Sequence, residues 1–184
     1  MKRLMDVTLS LVALVVLFPL LLIACVAVAV DSGFPVFFRQ ARIGQNAREF
    51  SMYKFRSMVK NAPGIGPYYT VSNDPRITRV GRFMRRTSID ELPQIINVLW
   101  GDMSLVGPRP HVPAERSLYT SSEWAERCSV RPGITGLAQI SGRSDISFDR
   151  QRSLDLQYVH EGSVLRDLQI IWRTVQQLGG RHSN

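Results

Sequence analysis

Apolar positions follow three patterns along the chain. From Val7 to Val30 they form one continuous run, interrupted only by Thr8, Ser10 and Pro19. As a straight helix this run would cover about 36 Å, enough to cross a bilayer. Near the other end, Val164, Leu168, Ile171, Val175 and Leu178 recur at alternating four- and three-residue intervals, which predicts an amphipathic helix whose stripe meets either the core or a membrane surface. Between the two, shorter segments alternate with turn formers. Phe50 to Met58 reads as a strand turning into a helical segment, Arg76 to Arg86 as a helix or turn-helix, and Leu92, Ile95, Ile96 and Leu99 as one face of a helix. A brief helix is expected from Ser122 to Arg127, started by Ser121 or Ser122, and a longer one from Ser147 to His160. Asn61 to Pro67 and the Pro132, Gly133, Gly136 cluster read as loops.

The apolar run divides the chain into a membrane element, 1–33, and a folded remainder, 34–184. One transmembrane helix is the plain reading of the run, and a cleaved signal peptide is disfavoured because no small-residue cleavage site precedes Asp31. Two features favour a re-entrant helix that returns to the side it entered from. Lys2 and Arg3 precede the run while Arg39, Arg42, Arg48, Lys54 and Arg56 follow it, so the positive-inside rule wants both ends in the cytosol. Pro19 lies near the middle and removes a backbone donor where a kink is needed. Phe37, Phe38 and Arg39 beyond it suit an interface.

With 184 residues and 45% hydrophobic content, one domain with its own core is the natural size. The formal charge of +8 suits nucleic acid, an anionic membrane surface or a phosphorylated substrate. No nucleic-acid module accompanies it, so the apolar run favours the latter two and nucleic acid is not expected as a partner. Cys25 and Cys128 make no disulfide framework, and His111, His160 and His182 are too dispersed for a histidine metal site.

Candidate chemistry concentrates between Asn73 and Pro110. Arg76, Arg79, Arg82, Arg85 and Arg86 lead into Asp90-Glu91, and the stretch closes on Pro108-Arg109-Pro110. Guanidinium groups clamp phosphate oxygens through paired donors. Their field would keep Asp90 ionised, the form required for nucleophilic attack or for holding a divalent cation. Pro93 suits a helix's first turn, so the helix should begin near Ser88 or Asp90, with Asp90 favoured. The bland alternative is that Asp90 caps this helix, Glu91 faces water and the arginines balance a surface. Pro108 and Pro110 limit how much Arg109 must be ordered on binding. Arg131, Gln139 and Arg143 suit either a polar pocket or loop support. Lys54-Phe55-Arg56 suits either an amphipathic edge or a face toward headgroups and phosphate.

The run from Asn73-Asp74-Pro75-Arg76 through Ser88-Ile89-Asp90-Glu91-Leu92-Pro93-Gln94, continued by Gly101-Asp102-Met103-Ser104 and Gly107-Pro108-Arg109-Pro110, resembles the signature of the bacterial sugar transferases, monotopic polyprenyl-phosphate phosphoglycosyl transferases. Lys54-Phe55-Arg56-Ser57-Met58 and Arg131-Pro132-Gly133-Ile134-Thr135-Gly136 extend the likeness over nearly the whole chain.

The resemblance implies an α-rich α+β monotopic membrane protein with an N-terminal re-entrant helix, a compact cytosolic catalytic domain and amphipathic surface helices, held at the bacterial inner membrane. It also implies transfer of a sugar phosphate from a UDP-sugar donor to a polyprenyl (undecaprenyl) phosphate acceptor with release of UMP, the step that starts membrane-linked glycan assembly. Asp90 would be the nucleophile and the ligand of a Mg²⁺ cofactor, with Glu91 assisting. Arg85 would contact phosphate, Arg109 with Pro108 and Pro110 the nucleotide, and Arg143 is a further substrate-binding candidate. Partners would be the phospholipid membrane, downstream glycosyltransferases and a second copy of the chain as a homodimer. Where the family breaks its membrane helix at a Ser-Pro pair, this chain has Phe18-Pro19. A non-catalytic monotopic scaffold that binds anionic lipid and partner enzymes is the alternative.

Overall fold

The computed structural model describes every residue except 68–69, 72, 143–145 and 181–184. The apolar run forms α1 (Lys2–Ser32), helical on both sides of Pro19. It is followed by a hairpin, β1 (Phe37–Ile43) and β2 (Glu49–Phe55), paired antiparallel from Phe37 opposite Phe55 to Ile43 opposite Glu49. Two helices come next, α2 (Arg79–Thr87) and α3 (Gln94–Trp100). Two three-residue strands, β3 (Ser104–Val106) and β4 (Gly133–Thr135), pair in parallel across the intervening α4 (Ser121–Arg127). The chain then runs through α5 (Leu137–Ile140), α6 (Phe148–Glu161) and α7 (Val164–Gly180).

Local chemistry sets several of these boundaries. Thr78 caps α2 by accepting from the Gly81 amide at 3.0 Å. Gly81 is required because a Cβ there would stand 2.1 Å from the Ser57 carbonyl oxygen, so α2 lies directly against the end of β2. Thr120, one residue ahead of the expected start, caps α4 and forms a capping box with Glu123. Ser147 caps α6. Segment 50–58 differs from expectation: it is strand to Phe55 and does not continue into helix. α3 also begins later than expected, at Gln94 with Pro93 as its cap position. Ser88 ends α2 in a left-handed conformation (φ 59°) and Ile89–Glu91 form a single 3₁₀ turn.

The core is a set of small clusters joined by buried polar groups. Asn97, fully buried, accepts from the Tyr53 amide and donates to the Ser51 carbonyl and to Asp102, tying α3 to β2. Arg76 is buried in an ion pair with Asp74 and donates to the Ala62 and Pro67 carbonyls. It braces the 61–67 loop and does not supply the site, contrary to the grouping of all five arginines.

Both ends of α1 are built into this one domain. At its start, Lys2 pairs with fully buried Asp167 of α7 at 2.5 Å and donates to the Val106 carbonyl. Arg3 donates to the Val98 and Leu99 carbonyls at the end of α3, and Asp6 accepts from Ser104 and the Leu105 amide. These leader charges, read in sequence only as flanking cations, are tied into the domain. At its finish, Ala24 and Val28 pack with Val36, Phe55 and Met84. Arg56, likewise buried and not turned to headgroups, donates to the Ser32 and Gly33 carbonyls. Between the attachments, Leu11, Val12, Val15, Val16, Phe18, Leu22, Ile23 and Val26 are exposed.

A spanning helix places its ends on opposite faces of a hydrocarbon layer about 30 Å thick, which one folded domain cannot grip at both ends. The chain is therefore monotopic, with α1 entering and leaving its apolar phase on the domain's side. The α7 stripe is resolved in the same sense. Asp167 and Ile170 face inward, whereas Leu165, Leu168, Trp172 and Val175 form an exposed apolar row.

Cysteines placed at Leu4 and Phe34, both largely exposed, in a background with Cys25 and Cys128 replaced, should label from the same side of sealed vesicles. Labelling from opposite sides would contradict the two-ended attachment.

Candidate functional site

The reversal at Ser88 brings the last turn of α2 against the turn that carries Asp90 and Glu91. Because this turn is 3₁₀ and not the first turn of α3, the two neighbouring acids are separated by environment. Glu91 Oε1 is gripped by Lys54 Nζ at 2.7 Å and by Arg109 at 3.0 Å. Asp90 is 7% exposed and, among the described residues, its carboxylate takes part in no hydrogen bond or ion pair. An unpaired carboxylate at that depth is the kind of group folded proteins otherwise avoid.

The electrostatics follow from this division. Burial pushes the Asp90 carboxyl above its ordinary range, and the Glu91 charge adds to the push against the opposing fields of Lys54, Arg85 and Arg109. Burial alone would raise Glu91 as well, but Arg109 and Lys54 overcome it and hold that carboxyl well below the carboxylate range. The positive field thus secures the ionised form of Glu91, whereas it only opposes the rise at Asp90. Lys54 is itself shifted downward by burial, with Glu91 acting in the other direction.

Arg85 leaves α2 toward the same centre, its Nε donating to Ser57 at 2.8 Å and its Nη1 to Thr70 at 2.9 Å. Both partners are hydroxyls, so its charge is uncompensated and available to an anion. Arg79, Arg82 and Arg86 lie exposed on the outside of α2. The structure therefore brings Arg85, Asp90, Glu91 and Arg109 together, adds Lys54 to them, and removes Arg76. Arg143 lies outside the described residues. Arg131 is loop support, donating to the Gly101 carbonyl. Gln139 is buried with both amide atoms unpartnered.

The Pro108-Arg109-Pro110 turn is held at successive carbonyls by separate elements. Pro108 accepts from the Gly133 amide at 2.9 Å, Arg109 from Arg127, Pro110 from Arg42 at 2.8 Å, and His111 from the Ile43 amide at 2.9 Å. With both proline rings buried, the backbone is fixed while the Arg109 side chain stays 44% exposed. Arg127 is anchored by buried Asp155 at 2.9 Å. Arg42 is drawn down to about 10 by burial and by the nearby Arg109 charge, so it still carries its proton at neutral pH. Sequence reasoning marked Arg42 only as a cation flanking the apolar run and Arg127 only as a helix end, since nothing local signals a guanidinium that reaches a carbonyl so far along the chain.

A two-carboxylate turn ringed by cations, mounted beside a helix that enters an apolar phase from one side, defines a monotopic membrane protein with a site for phosphorylated ligands. The bacterial sugar transferase family model matches residues 1–181, and the chain belongs to that family. It is 43% identical to UDP-glucose:undecaprenyl-phosphate glucose-1-phosphate transferase of Caulobacter vibrioides, over 96% of this chain and 69% of that protein. It is 44% identical to the exopolysaccharide production protein PSS of Rhizobium leguminosarum, over 95% of this chain and 93% of that one. Undecaprenyl-phosphate glucose phosphotransferase of Komagataeibacter xylinus is also 44% identical, but the chain spans only 35% of its length.

Replacing Arg127 with Met should lower stability by about 3–5 kcal/mol by stranding a buried carboxylate, read by denaturant unfolding in detergent. Adding Asp155→Leu should recover much of the loss without restoring the Arg109 carbonyl contact.

Proposed function

We propose that this chain transfers a sugar 1-phosphate from a UDP-sugar to polyprenyl phosphate, releasing UMP and producing a polyprenyl diphosphate sugar at the cytosolic face of the bacterial inner membrane. The observation that carries this reading is the contrast between the two acids: Glu91 is saturated by Lys54 and Arg109, while Asp90 is buried and unpaired. Relatives whose names specify UDP-glucose and undecaprenyl phosphate support the choice of substrates.

In the first half-reaction an Asp90 carboxylate oxygen attacks the sugar-proximal phosphorus, a bond to that phosphorus forms, and its bond to the bridging oxygen breaks to release UMP. In the second, an oxygen of the polyprenyl phosphate attacks the same phosphorus and displaces the Asp90 carboxylate. No net oxidation occurs and the side chain returns to its starting state. Splitting the transfer in this way lets one centre serve a soluble donor and a membrane acceptor in turn. Arg85 balances charge on the transferred phosphoryl group, Arg109 on the nucleotide side, and Glu91 holds Lys54 and Arg109 in position. Exclusion of water by the buried setting of Asp90 protects the acyl phosphate from hydrolysis.

Among the described residues no cluster of three or more metal-ligating side chains occurs. A Mg²⁺ site nevertheless fits, because this ion is commonly held by one or two carboxylates together with substrate phosphates, and Asp90 is a carboxylate not taken up by a cation. When bound there with the donor, Mg²⁺ would neutralise diphosphate charge. The bend expected at Pro19 would keep α1 within one leaflet, and the product would pass to downstream glycosyltransferases.

Asp90→Asn should abolish trapping of a protein-bound phosphosugar from donor labelled in the β-phosphate, and should nearly eliminate UMP release from a UDP-sugar panel supplied with undecaprenyl phosphate and Mg²⁺. Retention of both would exclude Asp90 as nucleophile.

Because Asp90 reacts as the carboxylate, activity falls as pH drops through its raised pKa. Glu91→Gln removes one of the two causes of that rise, so the acid limb of kcat/KM for donor should move to lower pH. Lys54→Met removes an opposing positive charge, so the limb should move to higher pH. Limbs that stay in place in both variants would show that Asp90 does not govern them.

A further inference from the structure

The side chain that follows the Pro-Arg-Pro turn is buried and engaged away from the two acids. His111 is 5% exposed, with Nδ1 at 2.5 Å from Glu115 Oε2 and Nε2 at 2.7 Å from the Tyr119 hydroxyl. Glu115 belongs to the 3₁₀ segment Pro113–Leu118, and Tyr119 is the residue that ends it. The imidazole also lies against the rings of Tyr119 and Trp124, with centroids 5.3 and 6.3 Å away.

The two hydrogen bonds run in one direction. Burial would raise Glu115, but hydrogen bonds from His111 and from the Val112 amide outweigh it and hold the carboxyl below its ordinary range. Burial draws His111 down against the pull of Glu115, so the ring is neutral at pH 7. An ionised carboxylate only accepts, which places the ring hydrogen on Nδ1 and leaves Nε2 bare. Nε2 therefore accepts from the Tyr119 hydroxyl, whose proton is secured by burial that pushes its pKa up to about 12. Packing alone would ask for an apolar residue here, since the adjoining cluster is Ile43, Tyr119, Trp124 and Cys128. A polar ring costs desolvation and gives a fixed orientation in return.

Two connections lead from this ring to Arg109. The carbonyls of Arg109, Pro110 and His111 are held by Arg127, Arg42 and the Ile43 amide, which fixes where the turn lies. The imidazole, one residue beyond Pro110, fixes how the segment leaving the turn is rotated. The second connection is electrostatic. The Glu115 charge acts on both Arg42 and Arg109, so the ring that aims this carboxylate also sets part of the field around the Arg109 guanidinium.

We propose that His111 is a positioning residue for the donor: through the order Tyr119 to His111 to Glu115 it holds the Pro-Arg-Pro turn so that Arg109 meets the nucleotide end of the UDP-sugar in one orientation. It touches no substrate atom. The inference rests on Arg109 serving the nucleotide side, as the transfer reading has it.

The test uses the full-length protein in detergent, with UMP binding measured by calorimetry and kinetics measured on the UDP-sugar turned over fastest. H111L fills the space without a hydrogen bond, and it should weaken UMP binding and raise donor KM together by roughly tenfold while kcat stays within about twofold of native. H111N keeps a donor toward Glu115 and should recover most of that loss. Y119F removes the hydroxyl but spares the ring packing; it should weaken UMP binding by roughly threefold, and it carries the test if H111L does not fold. Native UMP affinity in H111L or in Y119F would overturn the proposal. So would a loss confined to kcat, or an H111N variant as weak as H111L, which would assign the effect to ring volume. A native chain that binds no UMP would defeat the nucleotide reading of Arg109 and this inference with it.

Discussion

The attachment of one apolar helix to one domain at both of its ends is the constraint from which the rest of the architecture follows. An apolar helix exposed along its middle must lie in lipid, and a helix fastened at both ends to a single folded body must stay on that body's side of the membrane. The fastenings are chemically unlike. The first is polar, with Lys2 on Asp167, Arg3 on the α3 carbonyls and Asp6 on Ser104. The second is largely apolar, with Ala24 and Val28 against Phe55 and Met84, completed by Arg56 on the α1 terminal carbonyls. The ion pair of the first joins buried Asp167 to a partly exposed Lys2 and adds modest net stability, which suits that fastening to fixing register and the second to supplying burial energy.

The site is built between these two fastenings. Lys2 donates to the Val106 carbonyl, and the residues that follow Val106 are Gly107-Pro108-Arg109. Arg56 holds the end of α1, and the next residue, Ser57, accepts from Arg85. Arg109 thus lies three residues from one contact that grips the membrane helix, and Arg85 hydrogen-bonds the residue next to the other. A displacement of α1 in the bilayer would be felt at both, so membrane seating and anion-site geometry are parts of one packing arrangement. Gly133, whose Cβ would stand 2.1 Å from the Gly107 nitrogen, lets β3 and β4 approach closely enough to carry that arrangement across the domain.

Legibility in the sequence tracked the range of the interactions involved. α1, α6 and α7 were readable because an uninterrupted run, a Ser147 cap and a 3.6-residue period are local signals. Asp90, Glu91, Arg85 and Arg109 were readable as a cluster because three of them lie in one stretch and the fourth in a rigid turn. The parallel pairing of β3 with β4 was not, since each strand has three residues and the pairing is fixed by partners far along the chain. Nor were the fates of the cations. Arg85, buried Arg56 and buried Arg76 look alike in sequence, yet one donates to hydroxyls with no acid paired to it and the others satisfy backbone carbonyls. Only the partners distinguish them. The same applies to Lys2 and Arg3, which read in sequence only as flanking positive charges and whose tertiary partners lie far along the chain.

The paired acids show why composition alone could not divide their roles. In a regular first helical turn, Asp90 and Glu91 would both project toward solvent and both compete for the free amides there. The left-handed Ser88 and the 3₁₀ turn delay α3 until Gln94, which leaves Glu91 within reach of β2 and the Pro-Arg-Pro turn while Asp90 sinks between them. Once Lys54 and Arg109 are spent on Glu91, the nearest cation charge reaches Asp90 only through space, and burial outweighs it. A carboxylate so placed gains from any ligand that supplies an electrophilic phosphorus or a cation, because either relieves a desolvation cost that the folded chain leaves standing. The asymmetry between two adjacent side chains of nearly identical chemistry is therefore a product of backbone geometry, which pairs Glu91 with two cations and leaves Asp90 buried and unpaired.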